Sequence, residues 1–240
     1  MVYTSKTMEN EKIADLVSKD YRKAEVFKQF GLDFCCGGGR SVAQACEQKG
    51  IDKNMLLLAL EEIEKESEEI EQYDTWPLDV LIDHIVDKHH SYVRKNLGVI
   101  YEFALKVTKV HQASNPELEQ ILSLFEAISE ELTMHMHKEE FVLFPYIKTM
   151  VSEEHVSQPP FGSIENPISM MEYEHEKAGS LLKEIRELSQ NFTPPLHACN
   201  TYRVLYAKLQ EFEEDLHFHI HLENNILFPK ARKMEAGHLV

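Results

Sequence analysis

The chain has 240 residues, with 41 acidic against 25 basic side chains and a formal net charge of −16. Its apolar fraction of 43% can build a core, and its length suits one large domain or two small ones. A net negative charge of this size repels the phosphate backbone of nucleic acids, so we expect no nucleic-acid partner. No segment is apolar for long enough to span a membrane, so we expect no membrane association.

The cysteines and the N-terminus indicate the compartment. The first ten residues are polar and contain no signal-peptide pattern. The four cysteines, Cys35, Cys36, Cys46 and Cys199, are not spaced as a disulfide framework. Because reduced thiols are typical of a reducing compartment, the sequence predicts a cytoplasmic protein.

Residues 1–72 are predicted to form a small helical domain that carries a cysteine motif. Helical patterns flank a glycine-rich loop that reads Asp-Phe-Cys-Cys-Gly-Gly-Gly over residues 33–39. Ser41 and Gln44 are spaced as a capping box for the helix after this loop. The acidic run Glu61–Glu71 indicates a solvated helix face that leads into a linker.

Residues 77–240 are predicted to form an antiparallel four-helix bundle, which makes the whole chain all-α. Breaks that contain proline separate four segments with apolar residues on one helical face. The predicted helices are Leu78–Val110, Pro116–Met150, Pro167–Asn191 and Pro194–Met234. Three of these starts place Asn or Thr directly before proline, a pattern typical of an N-cap followed by the first helical residue. The moderate connections favour antiparallel neighbours.

An internal repeat carries the chemistry of this predicted bundle. Residues 135–145 and 219–229 are offset by 84 positions and share six of eleven residues, including a final Leu-Phe-Pro. Each copy contains a histidine and a glutamate four residues apart. These pairs are His135 with Glu139 and His219 with Glu223. Residues at this spacing share a helix face, and two matched copies favour a metal site over two surface pairs.

Further histidines complete a candidate ligand set. His175 continues the inward stripe of the third predicted helix, whereas the first helix offers His84, His89 and His90. Subtracting the repeat offset from 175 gives position 91, next to His90, but periodicity alone leaves His89 and His90 as alternatives. Four histidines and two glutamates are donors that iron, manganese and zinc accept. Six ligands exceed one tetrahedral zinc, and two carboxylates suit bridging, so the set favours two iron ions.

Other polar residues near the repeat are interpreted more simply. We expect His137, His217 and His221 to be exposed or to support the ligands from behind. Glu131 and Asp215 lie one turn before the two repeat histidines. Each could accept a hydrogen bond from a ligand imidazole or line an access route, or each could be an ordinary acidic position on a solvated helix.

Together these motifs resemble the repair-of-iron-centres family, the ScdA/YtfE-type di-iron proteins with a hemerythrin-like domain. The resemblance covers nearly the whole chain and includes the Asp-Phe-Cys-Cys-Gly-Gly motif, both repeat copies and Glu-His-Glu-x-Ala-Gly over residues 174–179. It implies that both glutamates bridge the irons, and it selects His90 over His89. The implied ligands are His90, His135, Glu139, His175, His219 and Glu223.

The resemblance also implies a function. The family is associated with restoring iron–sulfur clusters damaged by oxidative or nitrosative stress, so damaged iron–sulfur proteins are the expected partners and a homodimer is a candidate assembly. Fewer histidine ligands than in oxygen-carrying hemerythrins predict a labile iron, which suits a donor. Two alternatives remain open: an enzyme that reduces nitric oxide or peroxide, and a sensor or carrier of a diatomic gas.

Cys35 and Cys36 are the candidate catalytic residues. A disulfide between adjacent cysteines is strained because their Cα atoms are only about 3.8 Å apart. As thiolates with lowered pKa values on a glycine-rich turn, they would bind iron or carry electrons to a client. The alternative is a pair of small buried apolar residues. We expect Cys46 and Cys199 to be structural.

Overall fold

The computed structural model describes residues 8–65, 72–153 and 159–238, and these residues form an all-α fold. The expected fold class is therefore confirmed. Among the described helices, none combines the length and the apolar character needed to cross a bilayer. Residues 66–71, which make up much of the run predicted as a linker, lie outside the described residues.

The described residues of the N-terminal part contain four short helices. They are α1 (Ile13–Lys19), α2 (Lys23–Gln29), α3 (Val42–Lys49) and α4 (Lys53–Lys65). The predicted capping box is present at the start of α3, where the Ser41 side chain accepts from the Gln44 backbone and the Gln44 side chain accepts from the Ser41 backbone. Gly50 ends α3 with a φ of 65°, a conformation that glycine adopts without strain.

Four long helical rods form the bundle, and three of them contain a π-helical turn. The first rod is α5 (Leu78–His84), π1 (Ile85–His90) and α6 (Ser91–His111). The second rod is α7 (Glu117–Lys138), π2 (Glu139–Leu143) and α8 (Phe144–Ser152). The third rod is α9 (Glu165–Leu188), and the fourth is α10 (Asn200–Leu222), π3 (Glu223–Leu227) and α11 (Phe228–His238). The second rod lies between the first and the third, and the first packs on the fourth.

Two predicted helix starts are wrong. The third rod begins at Glu165, so Pro167 lies inside its first turn, where the missing N–H costs no helical hydrogen bond. The fourth rod begins at Asn200 rather than at Pro194. Pro194 itself precedes a proline, and that position disfavours the α conformation. The chain therefore continues as a loop as far as Cys199, which has an extended backbone.

A polar layer divides the bundle core. One apolar cluster joins the N-terminal helices to α6, α7, α9 and α10, through residues such as Val93, Leu132 and Ala178. The other fills the opposite end of the bundle, through residues such as Leu143 and Met171. The candidate metal ligands lie along their rods between these clusters. The two apolar layers therefore enclose them and limit their contact with water.

The N-terminal helices pack directly on the fourth rod. Tyr21 stacks on Phe218 with ring centroids 3.7 Å apart, and Lys28 forms an ion pair of 2.6 Å with Glu214. The α1 helix also lies against π3. This contact places the cysteine loop beside the turn that begins at Glu223.

Candidate metal centre

The three π-helical turns coincide with candidate ligands. His90 ends π1, Glu139 begins π2 and Glu223 begins π3. In the second and fourth rods, proline follows the π turn at Pro145 and Pro229. Proline cannot donate the helical hydrogen bond to the carbonyl four residues earlier and clashes with it, so a wider turn relieves both problems. Because π turns often occur at functional sites, the Leu-Phe-Pro tail is part of how the site is shaped.

The six candidate ligands converge into two overlapping groups. His90 and His219 form one group with Glu139 and Glu223, and His135 and His175 form the other with the same two glutamates. Within each group the ligand atoms lie within 4.8 Å of one another, and every residue is buried. The four rods therefore bring together side chains that are up to 133 positions apart in sequence.

Each glutamate divides its two oxygens between the two groups. In Glu139, Oε2 lies 3.3 Å from His90 Nε2, and Oε1 lies 3.3 Å from His135 Nε2. In Glu223, Oε1 lies 3.0 Å from His219 Nε2, and Oε2 lies 3.2 Å from His175 Nε2. Two ligands about 2.1 Å from one metal at right angles lie about 3 Å apart, so these separations suit coordination. Each carboxylate therefore offers one oxygen to each of the two groups.

The histidines pair in the same way. His90 Nε2 lies 3.2 Å from His219 Nε2, and His135 Nε2 lies 3.0 Å from His175 Nε2. Each pair therefore aims two imidazole nitrogens at one point, from two rods that pack side by side in the bundle. Together with one oxygen from each glutamate, every group offers two nitrogens and two oxygens, a donor set that suits a first-row metal.

Hydrogen bonds from neighbouring rods orient three of the imidazoles. The Nδ1–H of His90 donates to Glu140 at 2.6 Å, and the Nδ1–H of His135 donates to Glu174 at 2.9 Å. The Nδ1–H of His175 donates to the Asn224 side-chain oxygen at 2.8 Å. A histidine that donates from Nδ1 keeps the Nε2 lone pair free, and such partners both fix the ring and raise its basicity toward a metal.

The six candidate ligands, called the cluster from here on, carry buried charges that fit a metal cation. Both carboxylate oxygens of Glu139 and the Oε2 atom of Glu223 are buried and accept no hydrogen bond from a described residue. Burial would raise the pKa of Glu223, yet the imidazoles of His219 and His175 hold it well below its usual range. Two ionised carboxylates in an apolar setting need positive charge close by, and metal ions coordinated at the imidazoles would supply it.

The protonation behaviour of His135 leads to the same conclusion. Burial would lower the pKa of this imidazole, but the carboxylates of Glu139 and Glu174 raise it to about 10. The cluster therefore attracts positive charge strongly. The four histidines and two glutamates fit a metal centre by donor type, by geometry and by charge.

The structure distinguishes the two neighbouring histidines of the first rod. His90 points its Nε2 atom into the cluster. His89 is also buried, but its ring stacks on His219 at 5.7 Å and its Nδ1 atom contacts Asp215 at 3.0 Å. His89 therefore packs behind a candidate ligand and is not one of the six converging side chains.

Of the roles that the sequence leaves open for Asp215 and Glu131, hydrogen bonding to a ligand imidazole is not what the structure shows. Asp215 contacts His89, and Glu131 forms an ion pair with Lys177, so neither contacts a candidate ligand. The residues that do orient the ligands are Glu140, Glu174 and Asn224. Each directly precedes or follows a candidate ligand in sequence and reaches the imidazole of another rod. Adjacency to a ligand is the sequence signal that could have identified them.

The supporting histidines differ between the two repeat copies. His137 is exposed, as expected, and stacks on Phe141. His221 is only 1% exposed and lies 3.3 Å from the Ser18 hydroxyl of the N-terminal part. Burial lowers the pKa of His221 to about 4, so this ring is neutral at neutral pH. His221 supports the docking of the N-terminal helices instead of the metal cluster.

The cysteine loop forms a tight turn around Asp33. One oxygen of this carboxylate accepts from the backbone of Cys35 at 2.9 Å and of Cys36 at 3.1 Å, and the other accepts from Gly37 at 2.9 Å. At Gly38 a Cβ atom would clash with the Phe34 carbonyl. The loop therefore holds both cysteines in defined positions.

The two adjacent cysteines have different surroundings. Both are free thiols with sulfur atoms 3.9 Å apart; Cys35 is buried and Cys36 is half-buried. The contact with Cys36, burial and the Asp33 carboxylate together raise the pKa of Cys35 well above its usual range. The expectation of a lowered pKa is therefore wrong for Cys35. Cys36 lines a cavity of about 790 Å³ between the loop and α9, which gives it access to solvent.

The remaining cysteines lie away from the cluster. Cys46 is buried in the N-terminal part, and Cys199 is exposed at the start of α10 with its sulfur 3.4 Å from His111 Nε2.

The fold and the site define a class: a four-helix bundle with a buried histidine–glutamate cluster that could bind metal. The sequence pattern of the hemerythrin HHE cation binding domain matches residues 81–231, and that of a domain of unknown function, DUF542, matches residues 9–64. The iron-sulfur cluster repair protein YtfE of Musicola paradisiaca is 38% identical over 215 residues, which cover 90% of this chain and 93% of that protein. The YtfE protein of Yersinia pestis is 37% identical over 226 residues, which cover 94% of this chain and 98% of that protein. The chain belongs to this hemerythrin-like family of iron–sulfur cluster repair proteins.

Proposed function

We propose that the cluster holds two iron ions. His90 and His219 would bind one, His135 and His175 would bind the other, and Glu139 and Glu223 would bridge them. The observation that carries this proposal is the division of each carboxylate's oxygens between two pairs of imidazoles. When bound, iron supplies exchangeable, redox-active cations.

Iron is favoured over the other metals that accept these donors. Imidazole and carboxylate ligands also suit manganese and zinc, so donor type alone does not select the metal. Four protein atoms per ion, two of them from shared carboxylates, leave coordination positions open and hold each ion less firmly than a closed set. The family to which the chain belongs supports iron, and open coordination suits an ion that is delivered to another protein.

We infer that the protein repairs iron–sulfur clusters damaged by oxidative or nitrosative stress, by donating iron to the damaged protein. The relatives that match most of this chain are iron-sulfur cluster repair proteins, which supports this function. Damaged iron–sulfur proteins are then its partners. Its free cysteines are compatible with work in the reducing cytoplasm.

The cysteine pair would act in delivery. The candidate ligands are fully or almost fully buried, so an iron ion needs an intermediate acceptor before it reaches a client. Cys35 and Cys36 lie on a loop packed against π3, the turn that begins at Glu223. Delivery of a ferrous ion to these sulfurs would exchange its nitrogen and oxygen ligands for two thiolates, and the two protons released by the thiols would pass to the vacated imidazoles. The iron keeps its oxidation state in this step.

The test combines iron analysis with cluster repair. The purified protein should contain two irons per chain and should lose iron stoichiometrically as it restores an apo iron–sulfur protein. Changing Cys35→Ser and Cys36→Ser together should leave the iron content near normal, because no candidate ligand is altered, while repair falls sharply.

Each alternative outcome has a clear meaning. Repair at the parent rate by the double cysteine variant would show that the bundle acts without the cysteines. Loss of iron from that variant during purification would assign the cysteines to iron retention. Reduction of nitric oxide or peroxide over many turnovers, with the iron content unchanged and no repair, would contradict donation.

A further inference from the structure

Asn224 lies between a candidate iron ligand and the cysteine pair. Its side-chain oxygen accepts from His175 Nδ1 at 2.8 Å, and its side-chain nitrogen lies 3.9 Å from the Cys36 sulfur. The amide group is planar, and its oxygen and nitrogen point in different directions. One short side chain therefore contacts the cluster at one end and the cysteine loop at the other.

Asn225, the next residue, has a separate role. Its side-chain nitrogen donates to the Cys35 carbonyl at 3.0 Å and lies 3.2 Å from His221 Nδ1. These contacts hold the loop backbone on the fourth rod but do not include a candidate ligand. Of the two neighbouring asparagines of π3, Asn225 therefore attaches the loop, and Asn224 contacts the cluster.

We propose that Asn224 is a positioning residue that couples iron occupancy of the cluster to the reactivity of Cys36. The proposal rests on the function proposed above, because it requires iron on His175. A metal held by His175 would withdraw electrons from the ring and make its Nδ1–H a stronger donor. The stronger bond polarises the amide of Asn224, so that its N–H donates more strongly toward the Cys36 sulfur. A stronger donor favours the thiolate, which is the nucleophilic form.

The coupling acts in both directions. If iron binding stabilises the Cys36 thiolate, then stabilising that thiolate must strengthen iron binding by the same factor. A full cluster would thereby prepare the sulfur that receives iron. An emptied cluster would return Cys36 to a less reactive state, which protects it from oxidation between rounds of delivery.

The experiment measures the alkylation rate of Cys36 in the full chain at neutral pH. Iron-loaded and chelator-stripped protein are treated anaerobically with iodoacetamide, and mass spectrometry resolves Cys36 from Cys35. We expect iron(II) to raise the alkylation rate at Cys36 about threefold, a small factor because a donor that stabilises charge on the sulfur also lowers its nucleophilicity. Iron analysis of the same samples establishes the occupancy.

Variants of the two asparagines show whether Asn224 carries the coupling between iron occupancy and Cys36 reactivity. Asn224→Leu, measured at saturating iron, should give equal rates with and without iron. Asn224→Asp keeps an acceptor for His175 but presents an anion to the sulfur, so it should keep its iron and react more slowly than the parent. Asn225→Leu, the matched control, should change both rates equally and preserve their ratio.

The possible failures are distinguishable. If the parent binds no iron, the proposed function fails before the coupling is tested. If the parent binds two irons and Cys36 reacts at the same rate in both forms, only the coupling is wrong. An unchanged ratio in an iron-loaded, folded Asn224→Leu protein would also overturn the role of Asn224, and circular dichroism establishes that this variant is folded.

Discussion

The two copies of the internal repeat share one face and differ on the other. Inside the bundle, His135 and Glu139 match His219 and Glu223 in their contacts with the cluster. On the outer face, one residue before each copy, Met134 is 62% exposed, whereas its counterpart Phe218 stacks on Tyr21 of the N-terminal part. The inner side chains of both copies therefore join the candidate ligands, whereas the outer face of only one copy packs on the N-terminal part.

The difference extends to the positions after each glutamate. In the second rod, Glu140 orients a ligand and the next residue, Phe141, is 68% exposed. In the fourth rod, Asn224 orients a ligand and Asn225 holds the cysteine loop. An amide can donate and accept at once, whereas a carboxylate only accepts. The amide therefore suits the copy that must contact both the cluster and the loop.

The largest effect is expected on iron content, when ligands on the inner face of both repeat copies are changed. Changing Glu139→Ala and Glu223→Ala together should remove both irons, because each carboxylate serves both ions. Metal analysis of the purified protein measures this effect. The exposed repeat histidine is the control, and His137→Ala should keep two irons. A double glutamate variant that retains two irons would show that the carboxylates do not bridge.

The next effect concerns the two adjacent histidines of the first rod. His90→Ala removes a candidate ligand and should weaken iron binding on the order of hundredfold or more, whereas His89→Ala removes only a ring that packs behind His219. Competition with a chelator gives the two affinities. The reverse ranking would mean that the inward face of the first rod is assigned one residue out of register.

A smaller effect should come from a carboxylate that orients a ligand. Glu174→Leu leaves His135 without its acceptor and should weaken iron binding by about 10- to 100-fold. Glu131→Leu, on the second rod, removes only a partly exposed ion pair with Lys177 and should change the affinity little. Equal losses in the two variants would contradict the orienting role of Glu174.

The smallest effect is expected on the free energy of unfolding, when residues on the outer faces are changed. Phe218→Ala removes the half-buried ring that stacks on Tyr21 and should lower the free energy of unfolding by about 2 kcal/mol. Its repeat counterpart Met134 is exposed, so Met134→Ala should change that free energy by less than about 0.5 kcal/mol. Urea unfolding of the two variants measures the difference. Similar values would show that docking of the N-terminal helices adds little stability.

Several helix ends depended on interactions that a sequence pattern does not show. The capping box at Ser41 was predicted correctly because it involves only residues three apart. The fourth rod begins six residues after the predicted Pro194, because the second proline, Pro195, disfavours the α conformation at Pro194. The π turns were not predicted, although the Leu-Phe-Pro tails that accompany two of them were visible.

The sequence by itself determined the all-α class, the duplicated His-x-x-x-Glu helices and five of the six converging side chains, because helical periodicity and a fixed repeat offset are local properties of the chain. Tertiary structure decided the rest. Whether His89 or His90 points into the cluster depends on how the first rod is rotated against its neighbours. That Asn224, Glu140 and Glu174 orient imidazoles, and that Asn225 holds the cysteine loop, follows from contacts between rods. Such contacts join residues far apart in sequence, so no local pattern specifies them.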